Sequence, residues 1–420
     1  MSLRTRELLN LLVVGLLTGM GFASVYIARQ AQVDASSLSY AGMFLGLYVA
    51  AHVVARVTVP HADPYLLPIA ALLTAIGVTE IYRLEPDDAF RQGLWVVIGV
   101  ALFAAVLIVF RRDYRRLEAY KYLFGLGAIV LLMLPALPVI GTAVNGARLW
   151  VRVGAFQFQP GELAKIFLIV FLAGYLREKR EVLAQARPKD FGPLLLIWGG
   201  AMLVLVQTND LGSALLYFGI FLAMLYAATG RFTFVALGLA LFVGGAAVAY
   251  RGIPRVRDRV EVWLDPWSRA DTTGYQPIQS LYSIGNGSFG GTGLGRGTFA
   301  TTDGHPIIPS LNTDFIYSAI AQELGLVGAA ALLLFFMLFV ARGFRISLLA
   351  QDGFSKLLAA GLTFGFALQT FIIVGGVLRL IPLTGITLPF VSYGGSSVVA
   401  NFILLAGLLL VSNRANAPPR

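Results

Sequence analysis

The chain contains no cysteine in its 420 residues, so disulfides and thiolate metal sites are excluded. Histidine is almost as scarce. His52, His61 and His305 show no ligand spacing, which speaks against a zinc site. Charged residues make up only 13% of the chain, where a soluble globular domain has roughly 25%. What fills the space is apolar: 57% hydrophobic residues and a mean hydropathy of +0.77. The net charge of +10 would suit nucleic acid, but the Lys and Arg gather in short loops between apolar runs. Topogenic charge and attraction to an anionic bilayer explain that pattern better, and no nucleic-acid partner is expected.

Runs of about 20 apolar residues are long enough to cross a hydrocarbon core as helices. Twelve such spans are expected, near 7–28, 38–58, 64–82, 92–110, 120–141, 160–177, 192–207, 211–228, 232–250, 314–342, 355–378 and 394–412. The first follows Arg4 and Arg6 but exceeds the usual 7–15-residue core of a signal peptide, so it reads as a retained helix. An even number of spans puts both termini on one side. Basic clusters such as "RRDYRR" (111–116) and "REKR" (177–180) mark that side as cytoplasmic. The short outer segments carry only Arg29, Arg83, Arg91, Arg148, Arg152 and Arg379. The fold class is therefore an all-α polytopic membrane protein, with a long extracytoplasmic loop, 251–313, before the tenth span.

Several outer-side stretches invite chemistry. Segments 143–160 and 251–313 mix Arg, Trp, Tyr, Gln and Gly, unlike linkers, which are poorer in aromatics. Val260, Trp263, Leu264 and Trp267 fall at helical spacing, fitting an amphipathic helix on the membrane surface or a cap over the helix ends. "GNGSFG" (285–290) matches a dinucleotide fingerprint literally, yet it lacks the strand before it and the βαβ context. Its glycines suit tight turns and close backbone approach, including approach to a large ligand. Gln159-Pro160-Gly161-Glu162 opens a helix, and Lys165 shares a face with Glu162. Those two form either a local ion pair or a cation offered to an anionic headgroup. Thr208-Asn209-Asp210 is a tight turn with strong capping character. Segment 381–397, with two prolines and three glycines, is either re-entrant or a plain loop. Asp314 can be explained as a first-turn acid. Glu323 lies nine residues further into an apolar run, about 13 Å along a helix, where a charge is costly unless paired or protonated.

"NGARLWVRVGAFQFQPGELAK" (145–165), "TNDLGSALL" (208–216), "GYQPIQSLYSIGNGSFGGTGLG" (274–295), "LNTDFIYSAIAQELGLVG" (311–328) and "LTGITLPFVSYGGSS" (383–397) together resemble the successive signatures of the SEDS family. That family comprises RodA, FtsW and SpoVE, and the likeness is collinear over about 64–412. It implies a ten-helix core at 64–420, preceded by an added pair of helices within 1–63. It also implies a peptidoglycan glycosyltransferase of the bacterial cytoplasmic membrane. Such an enzyme polymerises lipid II and releases undecaprenyl pyrophosphate on the extracytoplasmic side, with a class B penicillin-binding protein as partner.

By the same resemblance Asp314 is the catalytic carboxylate and Lys165 matches the family lysine, although Gly161 stands where the family commonly has Ala. The family's Glu-Glu-Leu-Gly is here Gln322-Glu323-Leu324-Gly325, so the first acid is dispensable. Substrate contacts are expected from Lys165, Glu162, Gln159, Arg148, Trp150, Tyr275, Gln276, Gln279, Asn209, Asp210, Ser392 and Glu323. A divalent cation, Mg²⁺ or Mn²⁺, could bridge carboxylate and diphosphate. Cations beside a departing diphosphate and a carboxylate beside a sugar hydroxyl form a coherent reaction. A lysine close to Asp314 would, however, weaken it as a base. The competing readings are a flippase for the lipid-linked precursor and an FtsW-type division polymerase.

Overall fold

The computed structural model describes residues 2–28, 35–138, 140–144, 147–154, 156–184, 192–301, 303 and 305–418. Arg29, counted above among the outer cations, and the Asn145-Gly146 pair of the first family signature lie outside them.

The chain opens with α1 (Leu3–Ala28), α2 (Ala35–Thr58), α3 (Leu66–Leu84) and α4 (Pro86–Phe110). A one-turn α5 (Arg116–Ala119) leads into α6 (Lys121–Met133). Three short strands follow: β1 (Gly141–Val144), β2 (Ala147–Val153) and β3 (Phe156–Phe158). Then come α7 (Pro160–Glu178), α8 (Arg180–Ala184), α9 (Gly192–Gln207), α10 (Leu211–Thr229) and α11 (Phe232–Gly252). The long loop holds α12 (Pro254–Leu264) and α13 (Tyr275–Gly287), and the chain ends with α14 (Ile316–Leu349), α15 (Gly353–Val377) and α16 (Gly395–Ala415).

Each expected span coincides with one helix. Among the described residues nine are long and apolar enough to cross a bilayer. The other three fall short for visible reasons. α7 carries Glu162, Lys165, Arg177 and Glu178, while α6 and α9 are short. The span expected over 120–141 is a correction: its α-helix ends at Met133, and a 3₁₀ turn carries it to Ala136. Pro135 and Pro138 withhold the N–H groups that a continuing helix needs. Gly141 onward is antiparallel sheet, in the order β1-β2-β3.

α7 and α16 form the buried centre and α11 the lipid-facing edge. Caps fix the boundaries. Asp210 Oδ1 accepts from the Ser213 N–H at 3.0 Å to start α10, and Asp352 does the same for Ser355 at α15. Pro86 and Pro160 occupy the first turns of α4 and α7. Both chain ends lie at one end of the bundle. Arg4 donates to the carbonyls of Val59 and Ala62, while the neighbouring His61 N–H donates to Asn413 Oδ1. Asp314 sits at the opposite end.

Segment 378–394 is irregular; Leu380 near its start is exposed, while Leu388, Phe390, Val391 and Ser392 are almost fully buried. Its backbone is satisfied by protein, as non-helical chain at membrane depth requires. The Gln92 side chain bridges the Ser392 carbonyl (3.2 Å) and the Gly394 N–H (3.1 Å). α3 makes room through Gly77, where any Cβ would stand 2.3 Å from the Val391 carbonyl oxygen.

Candidate active site

A cleft of about 430 Å³ opens at the Asp314 end, between α12, α13, the start of α14 and segment 376–385. Asp314, Arg255, Arg259, Gln276, Arg379 and Gly385 all line it. The carboxylate is held by its own segment. The Asp314 N–H donates to the Ser310 carbonyl at 3.2 Å, and Ser310 takes a left-handed φ of 59° to present it. The Thr313 carbonyl accepts from the Ser392 hydroxyl at 2.6 Å, and the Asn312 carbonyl from the Tyr393 N–H at 2.8 Å. Asn312 Nδ2 donates to Asp88 at 2.8 Å. Two separate stretches, at Asp88 and at 392–393, thus fix the residues on which Asp314 stands.

The electrostatics follow from that seat. Burial pushes the Asp314 carboxyl up to about 6, against the opposing charge of Arg259 and a hydrogen bond from Thr313. Arg259 is itself held below its ordinary value by burial and by the charge of Arg255, with Asp210 and Asp314 acting the other way. It remains a cation. A Cβ built on Gly385, whose φ is +74°, would lie 3.5 Å from Asp314 Oδ2 and 3.9 Å from an Arg259 Nη. The left-handed φ favours glycine there, and its lack of a side chain leaves the space beside carboxylate and guanidinium free.

Lys165 does not face Asp314. Its buried ammonium donates to Glu162 at 2.9 Å and to Gln369 Oε1 at 2.6 Å. Gln369 continues to the Thr387 carbonyl at 3.0 Å. Asp210 is buried at the cap of α10, where burial pushes its carboxyl up; Glu162 adds to that and Arg259 opposes it. Arg259 therefore feels both Asp210 and Asp314, and Glu162, bonded to Lys165, adds its charge at Asp210.

The remaining expected residues divide. Gln276 lines the cleft and donates to the Pro309 carbonyl at 3.2 Å. Tyr275 and Gln279 stand on the same short helix, exposed and half-buried respectively. Ser392 is buried and acts through Thr313. The Gln159 N–H donates to Ser396 Oγ at 2.7 Å. Asn209 is an exposed turn residue at φ 60°. Arg148 and Trp150 lie on β2, paired to Ala143 and Thr142 of β1, and do not line the cleft.

Glu323 is also elsewhere. It is fully buried, with its oxygens accepting from the N–H groups of Gly295 (2.6 Å) and Gly297 (3.0 Å) and from Arg83 Nε (3.2 Å). The glycine-rich loop also packs closely on α14: a Cβ on Gly287 or Gly291 would stand about 2 Å from the Ala321 or Glu323 carbonyl oxygen. α14 breaks at Gly325 (φ 66°), and Thr292 and Gly293 N–H groups satisfy the Gln322 and Glu323 carbonyls at 3.0 and 2.9 Å.

Arg255 and Arg259 are the site residues that sequence reasoning did not single out. Sequence places them among the arginines of the outer loop 251–313, on the same side as the diphosphate, and distinguishes none of those from the rest. Their helix is a cap on the bundle: Trp263 Nε1 donates to the Arg379 carbonyl at 3.0 Å, and Arg379 stacks over Trp267. Among the described residues no group of three or more His, Asp or Glu side chains is gathered as a metal site.

A model of the family described as cell cycle protein, that of FtsW, RodA and SpoVE, matches residues 65–417. The peptidoglycan glycosyltransferase RodA of Mycobacterium tuberculosis is 42% identical, over 99% of this chain and 92% of its own. The probable peptidoglycan glycosyltransferase FtsW of Geobacter metallireducens is 35% identical, over 85% and 96%. The solved rod shape determining protein RodA of Thermus thermophilus superposes with a TM-score of 0.61 at 26% identity, covering 85% of this chain and 98% of that one. A chain from a peptidoglycan synthase complex that coordinates polymerization and crosslinking gives 0.70 at 28%, covering 84% and 98%. This chain belongs to the FtsW, RodA and SpoVE family.

Proposed function

We propose that the Asp314 cleft is where this peptidoglycan glycosyltransferase joins disaccharide units, in the manner of RodA. Lipid II is the acceptor: its sugar hydroxyl attacks the anomeric carbon of the donor strand. The new C–O bond forms as the bond from that carbon to the undecaprenyl pyrophosphate oxygen breaks. The hydroxyl proton passes to the Asp314 carboxylate, and the electron pair leaves with the diphosphate. Arg259 and Arg255 stand opposite to neutralise that diphosphate, since fixed cations are most effective where charge develops.

One observation carries this reading: a carboxyl pushed up to about 6 faces a guanidinium across an open cleft. A base is most effective with a pKa near the working pH, and a group at about 6 is mostly ionised at pH 7 while still taking a proton well. Lys165, engaged with Glu162 and Gln369, does not suppress it.

The loop charge supports both termini being cytoplasmic and Asp314 lying at the outer face. The synthase complex among the solved relatives supports a penicillin-binding transpeptidase as partner. We assign 1–63 as an added helix pair and 64–420 as the polymerase domain. The test is lipid II polymerisation by the purified chain, with and without the transpeptidase. Wild type makes glycan strands and Asp314→Asn does not; strands from Asp314→Asn would overturn the assignment.

A further inference from the structure

Apart from the cleft, a cavity of about 150 Å³ lies between α1, α3 and α14. Leu17, Gly21, Ile76, Leu294 and Leu324 make it largely apolar, and Glu80 is set into its wall. Glu80 is 2% exposed, and among the described residues its Oε1 has no hydrogen-bond partner. The nearest charges make this unusual. Glu80 lies within reach of the charges of Glu323 and Arg83, and Arg83 is bonded to Glu323. Glu323 is further satisfied by two backbone N–H groups. Glu80 Oε1 is therefore a buried acceptor without a donor, and leaving such a group unmet costs free energy.

The cavity has a direction. Glu80 stands one turn from the end of α3 nearest the Asp314 face, while Ile76 and Leu17 lie deeper along their helices. Leu17 at the rim is exposed, so the slot is open to the bilayer. An amphiphile entering from the bilayer would place its hydrocarbon chain against Ile76 and Leu17 and its headgroup at Glu80. The carboxylate selects a cation that can also donate a hydrogen bond.

We propose that this cavity is a binding site for an aminophospholipid, with one acyl chain in the apolar slot and the primary ammonium donating to Glu80 Oε1. One wall of the site is α1, which precedes residue 65, where the family match begins. The other side touches the glycine-rich loop: Leu294 lines the cavity, and a Cβ on Gly295 would press on Ala28 at 2.5 Å. A bound lipid would thus brace the added helix, the loop and Glu323 as one unit.

The test uses the full chain in nanodiscs of phosphatidylglycerol mixed equally with phosphatidylethanolamine or with phosphatidylcholine. After detergent extraction, native mass spectrometry counts the lipids retained. The expected result is phosphatidylethanolamine held at least about tenfold over phosphatidylglycerol and phosphatidylcholine, the scale of one charge-assisted hydrogen bond. Glu80→Gln removes the preference. Leu17→Trp, which fills the slot from its lipid-facing rim, removes retention with Glu80 intact and decides the matter if Glu80→Gln does not fold. Equal retention of the three lipids by wild type overturns the proposal. So does equal retention of phosphatidylcholine and phosphatidylethanolamine, or a preference that survives either substitution.

Discussion

Replacing Arg259 by glutamine removes the cation facing Asp314 and should raise the pH at which polymerisation switches on. The sign follows from the charges: a guanidinium favours the ionised carboxylate, so without it the proton is harder to remove. The size follows from the geometry at Gly385. A Cβ there would be 3.5 Å from Asp314 Oδ2 and 3.9 Å from the guanidinium. The charges are therefore no more than about 7 Å apart, which at an effective dielectric of about 20 is worth about 2 kcal/mol. That converts to about 1.5 pH units.

Wild type, with Asp314 at about 6, should run at about a tenth of its plateau at pH 5 and near the plateau at pH 7.5. In Arg259→Gln the rising limb should centre near pH 7.5, and the plateau should fall by at least about tenfold because the diphosphate also loses a cation. Initial rates of glycan strand formation from lipid II, measured from pH 5 to 9, separate the two effects. A lowered plateau with an unmoved limb would leave Arg259 a binding residue that does not tune Asp314. A limb shifted to lower pH, or a wild-type rate flat across the range, would refute the electrostatic assignment outright.

The same carboxyl should cost stability. Its folded value of about 6 exceeds the ordinary 3.8, so the folded state binds the proton more tightly. That contribution is full below about 3.8 and is lost as pH rises through about 6, a difference of about 3 kcal/mol. Asp314→Asn should therefore unfold at a higher temperature than wild type at pH 8, with the gap closing at pH 4, as thermal scans in detergent would show. Glu323→Gln should lower the unfolding temperature at every pH, because Arg83 loses its anionic partner at a buried site. A broken buried pair typically costs about 3–5 kcal/mol. Folded Glu323→Gln should keep the KM of wild type for lipid II, since Glu323 does not line the cleft. Gly325→Ala should yield aggregated protein in size-exclusion chromatography. Its φ of 66° disfavours a side chain, and a Cβ would stand 2.3 Å from the Gly291 nitrogen.

The spans were legible because lipid imposes one demand, a stretch of about 20 apolar residues with its hydrogen bonds made internally, and that demand is local in sequence. The sheet at 141–158 was less legible. "ARLWVRV" has the period of two that marks a strand, but it follows an apolar run that appeared long enough to be helix throughout. Asp314 was legible as an acid at a helix start with a family signature around it. Its cation was not. Arg259 lies 55 positions earlier on a helix whose amphipathic pattern suits a membrane surface equally well. Only the folding of α12 over segment 376–385 brings its polar face to the carboxylate. Lys165 illustrates the reverse. Its place one turn inside α7 was readable, but its second partner is Gln369, 204 residues on, and no local pattern encodes that choice.

The two acids of "TDFIYSAIAQELG" differ in role because of where each stands relative to α14. Asp314 stands in the turn that precedes α14, which begins at Ile316, whereas Glu323 lies about two turns inside that helix. The turn meets the cleft, where burial, opposed by the charge of Arg259, leaves the carboxyl able to exchange a proton. The helix meets the glycine-rich loop, where two N–H groups and Arg83 tie the carboxylate down. The break at Gly325 follows at once, and the loop's backbone satisfies the carbonyls exposed there. The second acid thus fixes the helix that presents the first. A helix slipped by one residue would turn Glu323 by about 100°, out of the loop, and would pull on the turn that seats Asp314.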